Sequence, residues 1–182
     1  MTERRPALEL RARGGNTPRL EGYAAVFDSP SEDLGGFVEF VRPGAFKRSL
    51  AGNKADPMAL VHHLPHLVLG RRSAGTLKLA EDRRGLHFEV DMPDTATARD
   101  LLVSVERGDI RGASFAFSIA PQGDRWQVQG EQVTRDLLDV DLHEITITAT
   151  PAYPDTEVAR RTLASLKAPR RVALARRYLD TL

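Results

Sequence analysis

Apolar and polar residues alternate along most of the chain with the period of two that is typical of half-buried β-strands. The predicted strands are Leu8–Arg13, Leu20–Phe27, Phe37–Val41, Met58–His63, Gly75–Ala80, Leu86–Met92, Gly108–Ser118, Asp124–Val128, Gln132–Asp136 and Val140–Thr148. Helical periodicity, capping residues and terminal glycines predict helices over Pro43–Leu50, Pro93–Gly108, Thr156–Lys167 and Arg170–Leu182. Many short strands with few helices indicate an α+β fold with a barrel-like, mostly antiparallel sheet flanked by helices.

The segment Gly108–Ser118 is the most informative of these strands. Its alternation directs Phe115 and Phe117 to one face, and burial of these aromatic rings is strongly favourable. Ser114 then points to the opposite face, which carries only small residues. That face leaves room for a substrate against the Ser114 hydroxyl, although a small residue on a strand more often serves packing.

A serine nucleophile needs a general base within hydrogen-bond reach and a third group that orients the base. His63, at the polar end of a predicted strand, can supply the base, and Asp139, Asp141 and Glu144 are the acids on late segments. Glu144 stands out because it interrupts an apolar and β-branched run, where an unpaired charge would be costly. Two readings stay open for Glu144: orientation of a histidine, or a structural ion pair with an arginine.

Three of the five histidines, His62, His63 and His66, fall within one short segment. The spacing of four between His62 and His66 would suit a metal site on a helix. Pro65 lies between them and disfavours that helix, and the segment contains no carboxylate. Surface and strand-end histidines are therefore the simpler interpretation, and no metal or cofactor is expected.

Composition narrows the class of protein. A net charge of +1 gives no overall field that would attract nucleic acid or an anionic membrane, so neither is expected as a partner. The absence of cysteine excludes disulfides, thiolate metal sites and a cysteine nucleophile, and fits a reducing cytoplasm. The first residues are charged and lack the apolar core of a secretion signal. No apolar run approaches the roughly 20 residues that span a bilayer.

Several short motifs occur in an order that resembles the prohead (capsid maturation) protease family of tailed bacteriophages and their gene-transfer-agent relatives. They are Gly22–Phe27, Arg42–Phe46, His63–Pro65, Leu69–Arg71, Gly85–Leu86, Gly108, Ser114 with Phe117, Leu142–Thr146 and Pro151–Ala152. The resemblance extends from about Leu20 to Thr162. It departs from the family pattern beside the histidine, where His62 and Leu64 replace the usual Asn and Asp. His62 is therefore a competitor of His63 for the role of base.

The resemblance implies a serine endopeptidase related to herpesvirus assemblins, with a β-barrel flanked by helices. Ser114 would be the nucleophile, His63 the general base and then acid, and Glu144 the residue that orients His63. Assemblins use a second histidine in the third role, but His143 lies on the opposite face from Glu144 if the strand is regular. Residues 1–167 would form the protease domain and residues 168–182 a basic amphipathic tail.

The resemblance also implies the biological setting. The expected substrates are the scaffolding segment of the major capsid protein, or a separate scaffold protein, and the protease's own tail. The expected site of action is the procapsid in the bacterial host cytoplasm, with a homodimer by analogy to assemblins. Three alternatives stay open. They are a catalytically inactive capsid scaffold or assembly chaperone of the same fold, a metal hydrolase that uses the histidine cluster, and an acid–base pair without a nucleophile.

Overall fold

The computed structural model describes residues 11–13, 18–52 and 55–149, and these residues are mostly β-strand with two helices. The elements are β1 (Arg11–Arg13), β2 (Arg19–Val26), β3 (Val38–Val41), α1 (Lys47–Leu50), β4 (Met58–Val61), β5 (Leu64–Arg71), β6 (Leu77–Glu81), β7 (Gly85–Asp91), α2 (Ala96–Glu106), β8 (Gly112–Ile119), β9 (Asp124–Gln129), β10 (Gln132–Leu137) and β11 (Val140–Thr148). The two predicted C-terminal helices, and with them the proposed boundary after residue 167, lie outside the described residues.

The strands form three sheets, with the orders β1-β2-β7-β6, β3-β10-β9 and β5-β4-β11-β8. Most neighbouring strands are antiparallel, as predicted, and the exceptions are the parallel pairs β3–β10 and β4–β11. The expected barrel is not seen, because across the described residues no strand pairing closes any of these sheets on itself. Alternation in sequence fixes which face of a strand is buried, but closure depends on whether the edge strands meet. The α+β class holds without the barrel.

One hydrophobic core joins the two four-stranded sheets with both helices. Phe115 of β8 is almost fully buried and meets Phe46 edge-on, with 5.3 Å between the ring centroids. Phe117 stacks on Phe115 at 5.1 Å, so the predicted aromatic face of β8 does point into the core. Burial of each such side chain contributes roughly 1.5–3 kcal/mol. The core therefore holds β8 in one register and directs its alternate residues to the other face.

Helix α2 matches its prediction closely. The Thr95 side chain caps it by accepting a hydrogen bond from the Ala98 amide at 3.2 Å. Its buried face consists of Ala98, Leu101 and Val105. Neither helix of the described residues is long and apolar enough to cross a membrane.

The segment from residue 58 to residue 71 departs most from the sequence prediction. The strand expected over Met58–His63 ends at Val61, because His62 and His63 both have positive φ and form a turn. The chain then returns as β5 (Leu64–Arg71), a strand that the sequence did not predict. Pro65 is tolerated in β5 because this strand lies at the edge of its sheet.

The small sheet β3-β10-β9 contains buried ionic groups. Arg135 donates to Glu39 at 3.2 Å and to Asp124 at 3.0 Å, and both Arg135 and Glu39 are buried. Asp136 lies between Arg42 and Arg125, at 2.6 Å from each. Burial opposes ionisation of Asp136, but its hydrogen bonds to the two arginines outweigh burial and lower its pKa.

The pKa of Glu39 is shifted in the opposite direction to that of Asp136. Burial raises its pKa to about 7, because the single partner Arg135 offsets only part of the cost of burying the charge and Asp124 adds repulsion. Its Oε1 atom is buried and has no hydrogen-bond partner within the described residues. Between pH 4.5 and 7 the folded state therefore favours the protonated carboxyl of Glu39, whereas the unfolded chain favours the carboxylate.

We expect Glu39→Gln to remove a pH-dependent loss of stability. Below pH 4.5 Glu39 is protonated in both states; as pH rises from 4.5 to 7, only the unfolded chain releases the proton, so the free energy of unfolding falls by on the order of 3 kcal/mol. Urea denaturation of both proteins at several pH values from 4 to 8 measures the difference. Glu32→Gln, a change at an exposed loop position, is the control. Identical pH dependence of Glu39→Gln and wild type would contradict the raised pKa.

Candidate active site

Strand β8 presents Ser114 on the face opposite the aromatic core residues, as the alternation predicted. Ser114 is directly opposite Thr146 of β11 in the antiparallel register, so the two side chains lie on the same face of the sheet. Neighbouring Ala113 and Phe115 are buried in the core on the other face. Ser114 itself is buried, with only 5% of its surface exposed.

Strand β11 changes phase in its middle, where a β-bulge was not predicted. Val140 and Leu142 are buried in the core, and then Ile145 and Ile147 are. The register against β8 shifts between Leu142 and Glu144, which leaves His143 as the extra residue of the bulge. A regular strand would have turned Glu144 into the core with Leu142. The bulge instead brings Glu144 to the face of Thr146 and Ser114.

The expectation that His143 points away from Glu144 on a regular strand is therefore wrong. Because of the bulge, His143 is exposed and its Nε2 atom lies 2.5 Å from the Ser118 hydroxyl, four residues along β8 from Ser114. Glu144, and not His143, contacts His63.

A two-residue turn carries the candidate base. His62 and His63 have φ of 50° and 57° and connect β4 to β5, with Val61 paired to Leu64 across the turn. Two-residue hairpins favour positive φ at both positions, usually with Asn-Gly. Here both residues have a Cβ atom, and the left-handed conformation costs roughly 1–2 kcal/mol for each. Histidine tolerates it better than most residues, but neighbouring groups must stabilise the turn.

Those groups come from β11. The Thr146 hydroxyl accepts a hydrogen bond from the His63 amide at 2.9 Å, and the His62 amide donates to the Ile147 carbonyl at 3.1 Å. The His62 ring contacts the Thr148 hydroxyl at 3.1 Å through Nδ1. This contact occupies one nitrogen of the exposed His62 ring, so the ring points towards Thr148 and not towards Glu144.

His63 and Glu144 form the central contact of the site. Nδ1 of His63 lies 2.6 Å from Oε1 of Glu144, and the side chains are 24% and 15% exposed. An ionised Glu144 can only accept, so Nδ1 carries the proton and the neutral ring is left with Nε2 as a base. Nε2 is buried and has no hydrogen-bond partner in the described part of the chain. Among the described residues, Glu144 therefore pairs with a histidine and forms no ion pair with an arginine.

The other candidate groups have separate environments. Asp139 and Asp141 both form ion pairs with Arg48, at 2.8 Å and 2.7 Å. His66 is exposed on β5. Residues 11–13, 18–52 and 55–149 contain no group of three or more His, Asp or Glu side chains that could hold a metal ion. The helical His62–His66 spacing does not exist, since one residue is in a turn and the other in a strand.

The sequence analysis missed Thr146 and Thr148, which hold the histidine turn. A signal was available: positions 144, 146 and 148 are polar while Ile145 and Ile147 are apolar, which marks a polar face on the second half of β11. The apolar positions before it, Val140 and Leu142, are even-numbered. This change of phase predicts a bulge near residue 143.

We expect the His63 ring proton to give a strongly deshielded proton resonance in the wild-type protein, because a short hydrogen bond to a carboxylate deshields and protects it. Glu144→Gln should move this resonance upfield or remove it, as the amide is a weaker, neutral acceptor. One-dimensional proton NMR measures the signal, and loss of the same signal in His63→Ala assigns it. A signal that is unchanged in Glu144→Gln would contradict the contact.

Comparison with known proteins shows the family of the chain. The family described as caudovirus prohead serine protease matches residues 6–169 of the chain. The prohead protease of Enterobacteria phage HK97 is 34% identical over 104 residues, which cover 56% of this chain and 42% of that relative. No solved structure matches. The family match covers nearly the whole chain, including the strands that carry Ser114 and Glu144 and the turn that carries His63. The chain belongs to the caudovirus prohead serine protease family.

Proposed function

We propose that this chain is a serine endopeptidase that cleaves capsid scaffolding segments during maturation of a phage prohead. Ser114 is the nucleophile, His63 the general base and acid, and Glu144 the residue that orients His63. The observation that carries the proposal is the His63 ring: Nδ1 bonds Glu144 at 2.6 Å, and the buried Nε2 has no partner among the described residues. The face of the sheet that holds this ring also carries Ser114, opposite Thr146.

The proposed reaction is acyl transfer in two stages. Nε2 of His63 takes the hydroxyl proton as Oγ of Ser114 forms a bond to the carbonyl carbon of the substrate. The protonated ring then gives this proton to the amide nitrogen as the C–N bond breaks, which leaves an ester on Ser114. Water attacks the ester by the same route: its proton passes to Nε2 and then to Oγ as the acid product leaves.

Glu144 contributes through its contact with Nδ1. It selects the tautomer in which Nε2 is unprotonated, and its charge stabilises the imidazolium that forms while Nε2 holds the proton. Both side chains are mostly buried, so water screens this attraction less than it would at the surface. The carboxylate of Glu144 would have the role that a second histidine has in assemblins. The relationship of this chain to assemblins stays a prediction.

The substrate proposal follows from the family. The scaffolding segment of the major capsid protein, or a separate scaffold protein, would be cleaved inside the procapsid in the host cytoplasm. Enclosure of the protease with its substrate raises their effective concentrations, so a weak affinity suffices. A homodimer and cleavage of the chain's own basic tail, residues 168–182, belong to the same proposal.

The main alternative is a catalytically inactive scaffold or assembly chaperone with this fold. Such a protein has no need for a histidine ring held by a carboxylate with its other nitrogen buried and unpartnered, so the geometry favours the protease. The metal hydrolase alternative has less support, because within the described ranges no group of three potential ligands comes together.

We expect Ser114→Ala and His63→Ala each to lower cleavage of the co-expressed capsid precursor by at least about 10³-fold, since either change removes a group that takes part in bond making. Gel and mass-spectrometric assays of purified proteins measure the rates. Ser118→Ala, on the same face of β8, and His66→Ala, on exposed β5, are matched controls that should keep near wild-type activity.

A fluorophosphonate probe distinguishes the protease from the inactive scaffold. It should modify Ser114 in the wild type, and not in His63→Ala, because only an activated hydroxyl reacts readily. A Ser114→Ala protein that still cleaves at the wild-type rate would exclude Ser114 as the nucleophile.

We also expect the chain recovered from mature particles to lack residues 168–182, because the tail would be cleaved by the same site. Intact-mass measurement of the wild-type chain and of Ser114→Ala, each purified from assembled particles, tests this. The Ser114→Ala chain should keep its tail. Wild-type particles that contain only the full-length chain would contradict self-cleavage. They would not contradict cleavage of the scaffold, which the assay on the capsid precursor tests separately.

A further inference from the structure

We propose that Thr146 is a positioning residue for His63, and that its hydroxyl group sets the position of the histidine ring relative to Glu144 and Ser114. This inference rests on the proposed function and adds to it a residue that has no contact with the reacting atoms. It is carried by the contacts of Thr146 with the histidine turn, by its burial and by its place in the sheet.

The Thr146 hydroxyl bonds both to the end of β4 and to the turn that follows it. Its oxygen accepts from the His63 amide at 2.9 Å, and its proton is directed to the Leu60 carbonyl at 3.3 Å. Thr146 is fully buried, so water does not compete for either group. One hydroxyl therefore links Leu60, near the end of β4, to His63.

The same residue lies between the two proposed partners of His63. Glu144 is two positions earlier on β11, on the same face after the bulge, and Ser114 is directly opposite on β8. A shift of the His63 amide relative to Thr146 thus changes the approach of the ring to both groups together. Since a displacement of about 1 Å can lower a rate about 10²-fold, a modest shift is enough to matter.

The backbone of the turn makes this support necessary. His62 and His63 hold φ of 50° and 57°, and both carry a side chain at positions where glycine or asparagine is usual. Ile147 and Thr148 hold His62, whereas Thr146 holds the His63 amide. Without the hydroxyl, the amide of His63 and the carbonyl of Leu60 lose this common partner, and the turn is free to relax away from the ring position that Glu144 requires.

The test compares Thr146→Val, which keeps the branched shape and removes the hydroxyl, with Thr146→Ser, which keeps the hydroxyl and removes the methyl group. We expect Thr146→Val to lower kcat about 10- to 100-fold, with KM changed less than about threefold, and to shift the deshielded His63 ring-proton resonance. Thr146→Ser should retain the resonance and keep kcat within about threefold of the wild type. Thr134→Val, the same change on β10, is the control and should alter neither.

Several results would overturn the inference. One is a folded Thr146→Val protein with wild-type kcat and an unchanged resonance. Another is a Thr146→Ser protein as slow as Thr146→Val, which would show that packing and not the hydroxyl matters. If Thr146→Val does not fold, as judged by circular dichroism, Thr146→Ala takes its place with the same expected loss, and the Thr146→Ser comparison still applies.

Failure of this inference can be told apart from failure of the proposed function. Ser114→Ala is assayed in the same series. If Ser114→Ala abolishes cleavage while Thr146→Val is unaffected, the protease stands and the role of Thr146 falls. If Ser114→Ala cleaves at the wild-type rate, the proposed function itself is wrong, and the ring-proton resonance in Thr146→Val still reports whether Thr146 holds His63.

Discussion

Strand β11 is hydrogen-bonded along both edges, in parallel with β4 and antiparallel to β8. The bulge at His143 decides which side chains of each half of β11 point into the core. Before the bulge, the even-numbered residue Leu142 enters the core; after it, the odd-numbered Ile145 and Ile147 do. Burial of these apolar side chains stabilises the phase change by a few kcal/mol. Their burial forces Glu144 and Thr146 to the other face, so core packing itself positions the polar groups of the site.

The candidate site thus combines rigid and strained parts. Ser114 and Glu144 lie on neighbouring strands in the interior of a sheet, where register leaves little freedom. His63 lies instead in a left-handed turn that is favourable only because β11 supplies hydrogen bonds to it. Strain held by surrounding structure is typical of functional sites. In this site the strained turn places His63, which follows the end of β4, next to the face of β11 that carries Glu144.

The segment Arg42–Phe46, one of the motifs behind the family resemblance, has a structural part in this arrangement. The Glu81 carboxylate accepts hydrogen bonds from the amides of Gly44 and Phe46, at 2.8 Å and 3.0 Å. This contact fixes the Phe46 ring against Phe115 on the core side of β8. Ser114 is the residue before Phe115, so the motif supports β8 on the side opposite to the one that carries Ser114.

Much of the local structure could be read from the sequence. The alternation of β8 gave the correct face for Ser114, the helix signals gave α2 with its Thr95 cap, and the turn residues gave the hairpins β6–β7 and β9–β10. The barrel, the regular β11 and the continuation of β4 through His62 and His63 were wrong. Each of these errors concerns how strands meet, which is set by contacts between residues far apart in the sequence.

For the site, the sequence by itself determined the residue types and the face of Ser114, because side-chain direction along a strand follows from the period of two. It left open whether Glu144 meets a histidine or an arginine, and whether His62 or His63 approaches it. Only the tertiary structure decided both, through the bulge at His143 and the turn at His62 and His63. A one-residue change of phase exchanges the two faces of a strand, and the core that selects the phase is assembled from the whole chain.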